Sequence, residues 1–100
     1  MSKEEIDTPA LLIDLPTMEA NLKRMADFFS HKEAKLRPHA KTHKSPLIAR
    51  QQIDLGAIGI TCAKLGEAEV LVEGGIRNLL IANQIVGSAK IARLVHLARR

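Results

Sequence analysis

One hundred residues, 46% of them hydrophobic and 26% charged, suffice for one small globular domain and exclude a disordered chain. Two aromatic residues (Phe28 and Phe29) and a single cysteine (Cys62) exclude a disulfide-built module, and no apolar run approaches the roughly 20 residues of a membrane span, so no membrane partner is expected. The formal charge of +4 comes from basic residues spread among acidic ones with no aromatic stacking platform, which argues against a nucleic-acid partner; with no apolar leader after Met1, a cytoplasmic location is the default expectation.

In chain order, the first element is the apolar run 10–15 (Ala-Leu-Leu-Ile-Asp-Leu), the pattern of a strand buried on both faces. Asp14 and Thr17 flank Pro16 as candidate caps of a first helix. In it Met18, Leu22, Met25 and Phe29 share one face, and Lys23, Arg24 and Asp27 take the wet side. A second strand begins near Lys35 and passes through Pro38 to Lys41; Ser45-Pro46 then opens a helix carrying Leu47, Ile48, Gln51 and Leu55, stopped by Gly56. Residues 57–63 read as a third strand, followed by a helix from about Gly66 through Ala68, Leu71 and Val72 to the Gly74-Gly75 break. Residues 78–83 are the fourth strand, and Ser88 caps a last helix with Ile91, Leu94, Val95 and Ala98 on its apolar side.

Four strand–helix units of roughly 20 to 25 residues each predict an α/β fold with parallel strands and crossover helices. Half a barrel and a small open sheet both fit this order. The length favours the half, because a closed (β/α)8 barrel takes about 250 residues and a free four-stranded piece would leave two edges and one face uncovered. The expected architecture is therefore the first half of a (β/α)8 barrel, with residues 1–100 a partial N-terminal barrel domain and the remainder of the barrel outside this chain.

The chemistry concentrates in residues 37–44 (Arg-Pro-His-Ala-Lys-Thr-His-Lys). Strand alternation puts Arg37, His39, Lys41 and, if the strand extends that far, His43 on one face, and Leu36, Pro38, Ala40 and Thr42 on the other. Cationic and imidazole side chains turned into a barrel need a partner, and an anionic cofactor would be one. The third strand agrees, since Ala57, Gly59, Thr61 and Ala63 are small where Ile58, Ile60 and Cys62 are bulky, which leaves room for a ring on the inner face. Lys41 falls where the second strand should end, the position of reactive groups in such barrels. A solvated basic loop is the plain alternative. A metal site from His39 and His43 is not expected, because on a strand the two would stand roughly 13 Å apart.

These residues resemble a known family, the alanine-racemase-like (fold type III) enzymes that use pyridoxal 5'-phosphate (PLP), in the branch of D-threonine aldolases and eukaryotic-type D-serine dehydratases. The likeness covers essentially the whole chain. It rests on residues 8–15 (Thr-Pro-Ala-Leu-Leu-Ile-Asp-Leu), 37–46 (Arg-Pro-His-Ala-Lys-Thr-His-Lys-Ser-Pro), 61–69 (Thr-Cys-Ala-Lys-Leu-Gly-Glu-Ala-Glu) and 78–84 (Asn-Leu-Leu-Ile-Ala-Asn-Gln), of which the second is the most specific. The resemblance implies a PLP-binding barrel with Lys41 as the Schiff-base lysine and catalytic group. It suggests His43 as an acid or base, or an orienting residue, and Arg37 and His39 as groups around the cofactor or as partners of barrel carboxylates. Thr61, Asn83 and Gln84 would line the pocket or cap loops, and Lys44 and Lys64 would be structural or near the phosphate. It further implies cleavage of D-3-hydroxy amino acids to glycine and an aldehyde, alternatively dehydration of D-serine to pyruvate, and a homodimer when full length. A divalent metal, Mn2+ or Zn2+, would be held by ligands outside this chain, as would the C-terminal β-domain. The isolated 100 residues are expected to be inactive, and a non-catalytic PLP carrier or an inactive truncated product is the remaining alternative.

Overall fold

The computed structural model describes residues 2–100. After a short 3-10 turn at Lys3–Glu5, the elements run α1 (Leu15–Ser30), α2 (Pro46–Asp54), β1 (Ile60–Cys62), α3 (Leu65–Glu73), β2 (Leu79–Ile81) and α4 (Ser88–Ala98). β1 and β2 pair in parallel, with Ile60, Thr61 and Cys62 opposite Leu79, Leu80 and Ile81. The extents are 47 × 42 × 20 Å, and the radius of gyration of 16.0 Å exceeds the roughly 13 Å of a compact 100-residue domain. A thickness of 20 Å fits one layer of strands backed by one layer of helices, the first part of a barrel wall rather than a closed unit.

The helices begin where their capping chemistry dictates. Asp14 accepts the Thr17 N–H at 2.9 Å and Pro16 stands in the first turn of α1, while Ser45 accepts the Ile48 N–H ahead of Pro46 in α2. Gly56 and Gly75, at φ of 105° and 84°, turn the chain out of α2 and α3 towards the strands. The core lies between strands and helices: Ile60, Cys62, Leu71 and Ile76 are the largest fully buried side chains, joined by Ala40, Ala49 and Ala68, with Leu79 and Ile81 packed against them. Within Ile60–Cys62 the third strand sorts its faces as expected, with Ile60 and Cys62 in the core, whereas Ile58 lies ahead of the strand and is 46% exposed.

Two of the four expected strands differ. Residues 10–14 take no strand pairing among the described residues, and Leu11, Leu12 and Ile13 are 96%, 59% and 57% exposed; a strand exists only beside a neighbour, and this run has none. The second strand survives as a single bridge, His39 to Thr61, with Ala40 N donating to Thr61 O, Thr61 N to Pro38 O and Ile58 N to Leu36 O. Pro38 has no N–H to continue that ladder. Among the described residues the fold is α/β with a two-stranded parallel sheet and four α-helices, consistent with the N-terminal part of a barrel, and two of the expected strand–helix units lack a full strand.

The second helix forms as expected and buries its alanine rather than its leucines. Leu47 is 80% exposed and Leu55 is exposed, whereas Ala49 is fully buried. The helix settles where α3 ends: a side chain at Gly74 would collide with Pro46, and Arg50 donates to Gly75 O at 2.7 Å. At such close approach alanine fits and leucine does not. Likewise Gly87, not Ser88, occupies the N-cap of α4, and Ile91 and Val95 are half exposed.

Candidate active site

The second strand stops at Ala40. Lys44 N donates back to Ala40 O at 2.8 Å, closing a turn over residues 40–43 that lifts Lys41 off the sheet. Lys41 is exposed, and its amine has no partner among the described residues; its backbone N–H donates to His39 Nδ1 at 3.1 Å. The strand alternation therefore holds through His39 and fails at Lys41 and His43. The two side chains that follow diverge. His43 lines a groove between α1 and α2, while Lys44 lines a cleft of about 520 Å³ at the strand ends beside α3 and α4.

On the face away from the helices, His39, Thr61 and Leu80 form one row across the three strands, since Thr61 is the register partner of both others. Leu80 is 51% exposed, so this face is open at its β2 edge. Thr61 is buried and its hydroxyl reaches Arg37 O at 3.5 Å. Arg37 belongs to the other end of the sheet: its guanidinium donates to Asn78 O at 3.2 Å and passes over Gly59, where any Cβ would strike it. About 10 Å of strand separates it from Ala40.

At the strand ends Glu67 stitches three segments. Its Oε2 accepts the N–H groups of Ala63 (2.8 Å) and Lys64 (3.3 Å), and its Oε1 lies 3.7 Å from Lys44 Nζ. Burial would raise this carboxyl, but the two N–H donors and the charges of Lys44 and Lys64 override it and hold Glu67 below the ordinary carboxylate range. Asn83 Nδ2 donates to Ala63 O at 3.1 Å and Gln84 N to Asn83 Oδ1 at 2.9 Å, so Asn83 closes its own loop onto the end of β1, and Gln84 lines the same cleft as Lys44. We expect Glu67→Ala to destabilise the protein by about 1–2 kcal/mol, read by denaturant unfolding. Because the folded pKa is depressed, the wild-type contribution is complete above the unfolded value of about 4.3 and declines as pH falls through the folded one, so wild type and variant should converge in acid.

The structure thus ties the Lys41 backbone to His39, which pairs with Thr61, and gathers Lys44, Asn83 and Gln84 at the cleft by the strand ends. Arg37 and the His43 imidazole stand apart from both. Three groups were not singled out by sequence reasoning: Glu67, Gln52 and Asn78, whose amide donates to Ile58 O at 2.7 Å. Glu67 has the N3 position of a capping box, a legible signal, but the lysine at the N-cap conceals the pattern. Cys62 is free and fully buried, and burial, with Glu67 adding, pushes its thiol up, away from reactivity. Among the described residues no group of three or more His, Cys, Asp or Glu could hold a metal, and no helix is long and apolar enough to cross a membrane.

Comparison with known proteins gives a consistent picture. The family model of the alanine racemase N-terminal domain matches residues 13–99. The D-threonine aldolase of Arthrobacter sp is 49% identical over 94 residues, covering 94% of this chain and 25% of its own length. The 3-hydroxy-D-aspartate aldolase of Paracoccus denitrificans is 38% identical over 100 residues, 99% of this chain and 26% of its own. Among solved structures, the D-threonine aldolase of Filomicrobium marinum superposes with a TM-score of 0.91 at 53% identity, over 95% of this chain and 26% of that one. The D-threo-3-hydroxyaspartate dehydratase of Delftia sp. HT23 follows at 0.86 and 38%, over 96% and 25%. The chain spans about a quarter of the length of these relatives.

Proposed function

Because this chain belongs to the family of the alanine racemase N-terminal domain, we propose that it is the cofactor-anchoring part of a PLP-dependent lyase that cleaves D-3-hydroxy amino acids, with Lys41 as the anchor. The observation that carries the reading is the placement of Lys41: a lysine whose amine has no partner among the described residues, presented by a pinned turn at the C-terminal end of the bridge to β1. The residues fit the group. An exposed primary amine suits the aldehyde carbon, the His39–Thr61–Leu80 row leaves a face for a ring, and Lys44 and Lys64 place positive charge at the rim.

Bound there, PLP supplies an electron sink for the carbanion left when a bond at Cα breaks. The chain's own contributions are simpler. Lys41 would hold the cofactor through its amine, and that amine, once free, would be placed to move a proton at Cα. His39 fixes the backbone of Lys41, and Thr61, Asn83 and Gln84 shape the floor and rim. A divalent metal, Mn2+ or Zn2+, belongs to this reading; one solved relative, a mutant of the Delftia dehydratase, is described in a metal-free form. The donors for such an ion would come from sequence outside this chain, and the proposed homodimer would pair two copies of the whole protein.

Likeness to both aldolases and a dehydratase makes the product the deciding test. The whole protein, supplied with PLP and Mn2+, should convert D-threonine or D-3-hydroxyaspartate to glycine and the matching aldehyde. Ammonia with a 2-oxo acid and no glycine, from D-3-hydroxyaspartate or D-serine, would establish the dehydratase reading instead. Cofactor binding with neither product would establish a carrier.

A further inference from the structure

The turn that presents Lys41 is pinned three times within the seven residues 39–45. Lys44 N donates to Ala40 O, and each of the two histidines accepts the N–H two residues ahead of it: His39 Nδ1 from Lys41 at 3.1 Å, His43 Nδ1 from Ser45 at 3.0 Å. The second contact straddles Lys44, which at φ 52° is the one non-glycine residue with positive φ among those described. That conformation is unfavourable for a lysine and persists only when neighbours over-determine it.

The tautomer of His43 follows. With Nδ1 accepting, the neutral ring carries its proton on Nε2. That atom is buried together with Gln52 Oε1, and neither closes a hydrogen bond of good geometry, although Gln52 is near enough to oppose the effect of burial on the ring. Burial nevertheless pushes the His43 imidazole below its ordinary value. Asp14 is the one other ionisable side chain lining the groove, and it is engaged at the α1 cap by the Thr17 N–H. Lys44 adjoins the ring along the chain and pairs with Glu67.

We propose that His43 is a positioning residue, not a proton donor to substrate: wedged between α1 and α2 against Gln52, it uses Nδ1 to hold Ser45 and thereby the turn that aims Lys41. This deepens the reading of Lys41 as the cofactor anchor and rests on it. The brace requires an unprotonated Nδ1. A second proton makes that nitrogen a donor facing another donor, so acid releases the turn.

Asparagine and glutamine separate the two roles, since an asparagine Oδ1 stands near the place of Nδ1 and a glutamine Oε1 does not. In the whole protein, His43→Gln should weaken PLP binding roughly tenfold, followed through the absorbance of the Lys41 link, and should speed amide exchange at Ser45 in the cofactor-free protein. His43→Asn should stay within about twofold of wild type on both measures and should lose the acid-side fall in PLP affinity, while turnover is retained. Equal loss of turnover in both variants with Ser45 exchange unchanged would overturn the brace in favour of direct proton transfer. Should either variant fail to fold, the nitrogen-15 shifts of wild-type His43 decide: a protonated Nδ1 near pH 7.5 overturns the proposal, and a bare one supports it. Ser45 exchange is read without cofactor, so the brace stands or falls separately from the anchor, which Lys41→Ala tests.

Discussion

Replacing Lys41 with alanine in the whole protein should remove the visible-range absorbance of bound PLP and lower turnover by roughly 10²- to 10⁴-fold, the range expected when a positioned acid–base group is lost. The prediction rests on the difference between Lys41 and its neighbour three residues on. Lys44 has the ion pair with Glu67 at 3.7 Å and the strained φ of 52°, marks of a structural residue, whereas the Lys41 amine stands partnerless among the described residues. Lys44→Ala should therefore keep the band. If the band instead persists in Lys41→Ala and vanishes in Lys44→Ala, the anchor is misassigned by one helical turn. His39→Ala is the intermediate case: it leaves the amine in place and frees one backbone N–H, so a loss of no more than about tenfold in PLP affinity is expected, with the band retained.

Residues that repeat with the pleat were legible. Ile60 and Cys62 point to the helices and Thr61 away from them because alternation depends only on the backbone, and Asp14 and Ser45 cap their helices because capping is settled within four residues. Features set by a distant neighbour were not. The second strand ends at Ala40 because Pro38 breaks its ladder and Lys44 folds back. The run 10–14 has the composition of a buried strand but no partner to bury it, and the face of α2 follows a close contact with Gly74, 28 positions beyond Pro46. The active-site reading straddles this division. The sequence pattern pointed to the family and offered Lys41 as its anchor, yet the turn that carries Lys41 is closed by a local Lys44 N to Ala40 O bond that strand alternation does not encode, and the departure of His43 towards Gln52 and the position of Arg37 beside Asn78 come from tertiary contacts.

Stability should be concentrated in the few side chains that join α3 to the strands. Leu71 is 2% exposed and belongs to the cluster with Ile60, Cys62 and Ala68, so truncation to alanine removes its transfer energy and leaves a cavity that a two-layer slab collapses poorly to fill. A loss of about 2–5 kcal/mol is expected for Leu71→Ala. Val70 precedes it on the same helix, has a comparable apolar side chain and is 50% exposed; Val70→Ala should change stability by less than about 1 kcal/mol. Alanine gains more helix propensity over valine than over leucine, but only by a few tenths of a kcal/mol, so the contrast comes mainly from the face that each residue presents. Urea unfolding of the two variants beside wild type measures it through the midpoint at constant slope. Equal midpoint shifts would mean that α3 does not seat on β1 and β2 through Leu71. Thr61, the Lys64 cap and the first turn of α3 carrying Glu67 would then lack the support that holds the rim of the cleft.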